Sequence, residues 1–203
     1  MGMCINQPWH QQAVGEPLYL RPKYGALNYR HDPVGGARRF GSSHLRLAPH
    51  VRSRTSFCYP DSYLEPCHFA VDDVNPLIDL AENNELGLDP WLDNYIEAHV
   101  HGPLSMVEDV EALVLNPSFK VTTIEEAAAT LGCPVEWHSG FRLSLDWLFE
   151  CEMLRGAATA DAITRIAEND MVTPAVLWHA RDRVLDYQMA KWVWHCIARY
   201  VQY

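Results

Sequence analysis

The chain has 203 residues, a formal net charge of −10, a pI of about 5.4 and 48% hydrophobic residues. That length carries one domain, or one domain with an appendage, and that hydrophobic content supplies a sizeable core. The acidity excludes nucleic-acid binding through a broad basic surface, because such binding neutralises phosphates with Lys and Arg.

Residues 1–16 are polar and read as an arm. Pro17–Arg21 reads as a short strand. Alternation over Tyr24–Tyr29 predicts a strand, and Ser43–Leu47 a second one that pairs with it as a hairpin across the turn His31–Gly36. Pro49–Arg54 reads as one helical turn, and Arg54–Ser62, polar and aromatic with Pro60-Asp61 in it, as a loop. Cys67–Val71 is a short strand. Asp72 or Asp73 caps a helix over Asn75–Asn84, and Asp89–Asn94 starts another.

Two alternating runs follow. In Ile96–His101 the period of two places Glu97, His99 and His101 on one face. In Val110–Leu115 it sets Glu111 apart from the apolar run Ala112–Leu115, which stops at Asn116-Pro117 because proline has no N–H to donate. A carboxylate at the head of a buried strand is unusual, since a buried charge is costly without a partner. Thr122 or Thr123 caps a helix over Ile124–Leu131, and Pro134–His138 reads as a final strand. Helices are expected over Ser144–Arg155, Thr159–Asn169 and Pro174–Tyr203, the last broken near Asp186. The result is an α+β chain: an arm over 1–16, a mixed core over 17–140 and a helical region over 141–203.

The six cysteines, at 4, 58, 67, 133, 151 and 196, include no C-x-x-C pair and read as reduced, mostly buried thiols of a cytosolic protein. No stretch is long enough to span a membrane, and no signal-peptide core is seen at the N-terminus. The cations Arg21, Lys23, Arg30, Arg38, Arg39, Arg46, Arg52 and Arg54 cluster in one segment, which suits an anionic ligand such as a dinucleotide, or a solvated surface balancing the acidic half. Nucleic acid is not excluded at such a local patch.

The run DVEALVLNP is similar to the strand that carries the catalytic glutamate of ADP-ribosyltransferases. In that family the glutamate polarises the nicotinamide-ribose hydroxyl and steadies the positive centre that forms as nicotinamide leaves. The resemblance implies an ADP-ribosyltransferase-like core, NAD as cofactor and a macromolecular acceptor, expected to be protein. It implies a role as a toxin or effector, in the cytoplasm or delivered into that of a target cell. It makes Glu111 catalytic, with Asp109 loosely like a paired acid and Glu97 in reserve. Arg21 then holds a cofactor phosphate, Thr55 and Ser56 frame the nicotinamide, and Tyr24 and Ser43 join the cofactor set. Two other readings stay open. Glu97, His99 and His101 could ligate a metal in a hydrolase, with His44, His68 or His138 completing the sphere. A non-catalytic binding module, of inhibitor or immunity type, would use the acidic surface and the tryptophans as anchors.

The runs RPKYGALN, RFGSSHLRL, RTSFCYPDS, YIEAHVHG, DVEALVLNPSF and CPVEWHSGFRL, in that order over Arg21–Leu143, resemble an uncharacterised bacterial family. Its members carry runs like RPKYGALN, PRFGSCYL, TFTYGDS and VEALVLDPS. Ser43 stands where Cys is common and Pro60 where Gly is. The family's usual His-Pro-Asp-Arg segment, in a longer N-terminal region, is not found here. If that segment is essential, a trimmed or inactive version is expected.

Overall fold

The computed structural model describes residues 21–201. The expected arm and most of the Pro17–Arg21 strand lie outside these residues. In chain order the strands and helices are β1 (Lys23–Ala26), β2 (His44–Leu47), β3 (Thr55–Tyr59), β4 (His68–Ala70), α1 (Asn75–Asn83), β5 (Glu97–Val100), β6 (Val110–Leu115), α2 (Thr123–Ala129), β7 (Val135–Trp137), β8 (Leu143–Ser144), α3 (Leu148–Arg155), α4 (Ala157–Ile166), β9 (Met171–Val172), α5 (Pro174–Ala180) and α6 (Tyr187–Arg199). Short 3-10 turns join several of them. The chain is therefore a mixed α+β protein. It forms two compact units, each discontinuous in sequence. Among the described residues the first holds 21–37 and 46–111, the second 38–45 and 112–201. The division thus falls near Glu111 rather than at residue 140.

The first unit is built on a four-stranded antiparallel sheet of order β1-β5-β3-β4. Strand β3 occupies a stretch expected to be a loop. Its residues alternate: Phe57 and Tyr59 join the core, while Ser56 and Cys58 fall on the other face. The polar half of the alternation masks the strand in the sequence. On the core face Phe57, Tyr59, Ile96 and Ala98 pack against Leu77 and Ala81 of α1. The buried polar groups there are paired: the Tyr59 hydroxyl donates to Asn94 Oδ1 (2.9 Å), and Asn94 Nδ2 donates to the Ala81 carbonyl (2.8 Å). The N-cap of α1 is Val74, without a side-chain cap, rather than Asp72 or Asp73; Asp73 Oδ1 instead accepts from the Asn75 N–H at 3.0 Å. Asp89–Asn94 forms turns rather than a helix.

The expected β1–β2 hairpin does not form. β1 pairs with β5, while β2 lies in a separate three-stranded sheet of order β2-β6-β7. The connection between β1 and β2, residues 27–43, is far longer than the about two to five residues that close a hairpin.

In the second unit β6 and β7 pair in parallel, Leu113 opposite Val135 and Leu115 opposite Trp137. The turn after β7 is pinned by His138. Its Nδ1 accepts from the Gly140 N–H (2.9 Å), so Nε2 carries the proton and donates to the Ser42 carbonyl (2.6 Å). The His138 ring meets Phe141 edge-on, and Phe141 meets Trp194 likewise. This aromatic group is core. The Trp194 indole N–H is shared between the Arg38 and Arg39 carbonyls, at 3.0 and 2.9 Å. Asp186 breaks the C-terminal helical run by capping α6, accepting from the Met189 N–H at 2.7 Å.

His195 is buried on α6, and its Nδ1 accepts from Arg155 Nη2 at 2.8 Å. Burial, with the nearby charges of Arg155, Arg39 and Lys191, lowers its pKa from 6.5 to about 4. The folded state thus prefers the neutral ring. The associated stability is complete above pH 6.5 and is lost as pH falls toward 4. It amounts to about 3 kcal/mol at most, at about 1.4 kcal/mol per pH unit. Denaturant midpoints measured from pH 7 to pH 4 should fall steeply for the wild type and clearly less for His195→Gln. Equal slopes would contradict the assignment.

Candidate functional site

Strand β5 lies between β1 and β3, and the register fixes what meets across it. His99 is opposite Tyr24 on one side and Ser56 on the other; Glu97 is opposite Ala26 and Cys58. Directly opposed residues in a sheet share a face. Tyr24, Ser56, Cys58, Glu97 and His99 therefore stand together on the face turned away from α1. The alternation in YIEAHVHG and that in TSFCY come from separate parts of the sequence and produce one polar surface.

Glu97 is its buried centre. His99 Nε2 lies 2.6 Å from Glu97 Oε1, and the Cys58 thiol lies 3.9 Å from the same oxygen. Burial pushes the carboxyl up, but hydrogen bonds from His99 and Ser62, with the charge of His99, outweigh it and leave Glu97 more acidic than an ordinary glutamate. Cys58 moves the other way. Burial, then the charges of Glu97 and Asp61, push its thiol up to about 12. Its thiol is thus held protonated. His101 Nε2 lies 2.8 Å from the Ser56 hydroxyl, and burial, then His99, lower its pKa. The Tyr24 ring meets His99 edge-on at 4.9 Å and is 62% exposed, so the buried acid sits beside an accessible aromatic.

The segment after β5 is anchored from one side chain. Arg54 Nη1 donates to the carbonyls of His101 (2.6 Å) and Pro103 (2.8 Å), and Arg54 Nη2 lies 2.8 Å from Asp109 Oδ2. Asp109 also accepts from the Ser105 N–H (2.7 Å) and pairs with His50 Nε2 (3.0 Å). Lys23 Nζ donates to the Gly102 carbonyl at 2.8 Å. These charge-assisted bonds hold the backbone that follows β5.

Several expected site residues lie elsewhere. Thr55 faces the core side, is buried, and its hydroxyl donates to the Val51 carbonyl at 2.9 Å. Ser43 belongs to the second unit and accepts from the Asn116 N–H at 3.2 Å. Arg21 lies two residues before β1. Glu111 is on β6, outside the four-stranded sheet, half-exposed and 3.5 Å from Arg46 Nε. It is not a charge forced into a buried strand, because its own position on β6 is exposed. Asp109, expected as its paired acid, is committed to Arg54 and His50. The metal set Glu97, His99 and His101 does not converge either, since His101 turns to Ser56. Its place is taken by Cys58. The signal for Cys58 was the alternation of TSFCY, which the loop assignment obscured.

The fold and this face define a mixed α+β protein with a polar sheet surface centred on a buried carboxylate. The chain belongs to the family described as a protein of unknown function (DUF3626), whose profile matches residues 5–81 and 74–200. No curated protein matches it. Among the described residues no helix is long and apolar enough to cross a membrane.

The backbone N–H of Ser105, then Arg54 and His50, hold the Asp109 carboxyl at about 2, below its ordinary 3.8. The stability this confers is present above pH 3.8 and lost as pH falls through 2. Asp109→Asn should flatten the pH dependence of unfolding in that window and speed amide exchange over residues 101–109. An unchanged acid profile would show that the carboxylate does not anchor the segment.

Proposed function

We propose that the chain is an NAD-dependent ADP-ribosyltransferase, with an ADP-ribosyltransferase-like core, that uses the polar face of the β1-β5-β3 sheet and Glu97 as its catalytic carboxylate. One observation carries the reading: an early strand bearing Tyr24, a Ser/Thr strand bearing Ser56 and a strand bearing a buried, ionised glutamate are immediate neighbours and present these residues on one face. The resemblance asks for an Arg or His on an early strand, a Ser/Thr strand and an acid; β1 itself carries neither Arg nor His, and Arg21 precedes it by two residues. Here the acid comes from EAHV on β5, with Glu111 as the competing carboxylate.

Each residue has a task that its chemistry suits. Glu97 is ionised and held by His99, so a fixed negative charge is in place before the reaction begins. When the bond from nicotinamide to the ribose C1′ breaks, its electron pair leaves with nicotinamide and positive charge develops on the ribose. A preorganised carboxylate stabilises that charge without first reorienting. Tyr24 offers an exposed ring for stacking against a planar heterocycle. Ser56, oriented by His101, offers a hydroxyl beside it. Arg21 supplies a guanidinium at the approach to β1 that suits a phosphate. The acceptor is a macromolecule, which fits the role of a toxin or effector protein.

Transfer of label from NAD in lysate should fall by about 100-fold or more in Glu97→Gln, in line with the loss of one preorganised electrostatic group. Ser56→Ala should lose less, and Glu111→Gln should stay within a few-fold of wild type. Loss in Glu111→Gln alone would move the active site to β6. A wild type that neither binds nor turns over NAD would overturn the transferase reading.

A further inference from the structure

We propose that Cys58, Glu97 and His99 form a binding site for one zinc ion on the polar face of the sheet. Among the described residues these are the side chains of metal-ligating type that converge as a group of three. The Cys58 sulfur, a Glu97 carboxylate oxygen and a His99 ring nitrogen all lie within 4.8 Å of one another. The sheet sets this up: Cys58 and Glu97 are directly opposed on β3 and β5, and His99 follows Glu97 by the two residues that return it to the same face. Ligands on paired strands are held more rigidly than ligands on loops.

The distances come close to what the ion requires. With bonds of about 2.3 Å to sulfur and about 2.0 Å to nitrogen or oxygen, a tetrahedral zinc places sulfur and oxygen about 3.5 Å apart and oxygen and nitrogen about 3.3 Å apart. The observed separations from Glu97 Oε1 are 3.9 Å to Cys58 Sγ and 2.6 Å to His99 Nε2. Small side-chain rotations suffice, with the ion replacing the hydrogen bond that now joins Glu97 to His99. Binding displaces the Cys58 proton to solvent and moves the His99 Nε2 proton off that nitrogen, to solvent or to Nδ1, as thiolate–metal and imidazole–metal bonds form. One thiolate, one imidazole and one carboxylate suit zinc over the harder cations magnesium and calcium. Three protein ligands leave a fourth position for water.

The Cys58 thiol is at present a weak donor to Glu97, 3.9 Å from Oε1. A cation between them replaces that weak bond with a bond to each side chain and reverses the sign of the local field. The inference goes beyond the transferase reading: an ion bound here occupies the Glu97 carboxylate, so zinc and transfer chemistry exclude one another.

The test uses the metal alone, on the purified, metal-stripped full chain, and reads no transferase step. Cobalt replaces zinc as the probe, because a thiolate bound to Co2+ gives an intense near-ultraviolet charge-transfer band. We expect one Co2+ per chain with that band, released by one equivalent of Zn2+. Cys58→Ser should abolish the band, His99→Gln should weaken binding at least tenfold, and the double variant Cys67→Ser/Cys133→Ser should retain both. Absence of a thiolate band in the wild type, or its persistence in Cys58→Ser, would overturn the proposal. Should circular dichroism show Cys58→Ser unfolded, His99→Gln decides alone: unchanged Co2+ affinity would overturn the site.

Discussion

The hydrogen bond between Glu97 and His99 is the interaction on which the polar face depends. Burying an ionised carboxylate costs several kcal/mol unless it is paired. Hydrogen bonds to a charged group return about 1.5–3 kcal/mol each. Glu97 has such bonds from His99 and Ser62, and they outweigh the effect of burial on its acidity. Remove them and the carboxyl would protonate or turn outward, and the face would lose the charge that gives it chemistry. The arrangement is possible because β5 is an interior strand: its backbone is paired on both sides, so its side chains are held in register against Tyr24, Ser56 and Cys58.

The sheet therefore does two jobs with one periodicity. The odd-numbered residues Thr55, Phe57 and Tyr59 of β3, and Ile96, Ala98 and Val100 along β5, turn toward the core. Ser56, Cys58, Glu97 and His99 turn away from it. Packing fixes the first set, and the first set fixes the register of the second. In the second unit the polar side chains serve structure instead. His138 holds a turn with both ring nitrogens, and Trp194 satisfies two carbonyls with one N–H. Histidine and tryptophan in such settings resemble ligand-binding clusters in a sequence, but here their polar atoms are already committed.

Much of the fold was legible from local patterns. The alternation in β5 and β6, the stop at Asn116-Pro117, the Thr122 cap and the break at Asp186 are local features with local causes, and each stands where the sequence placed it. The face shared by Glu97 and His99 was readable for the same reason. What escaped was non-local. Nothing in RPKYGALN says that β1 pairs with a strand some seventy residues on rather than with its neighbour. TSFCY reads as a loop until its polar half is recognised as one face of an interior strand. Glu111 drew attention as a carboxylate in an apolar run, yet its position on β6 is exposed and Arg46 meets it. Cys58 entered the site only once pairing set it opposite Glu97.

The central claim is that the β1-β5-β3 face binds NAD. The most direct measurement is an NMR titration of the 15N-labelled chain with NAD, following the imidazole resonances. Those of His99 and His101 should shift together and saturate along one curve, while those of His138 and His195, committed to the interior of the second unit, stay in place. Saturating NAD that leaves His99 and His101 unmoved would contradict the account.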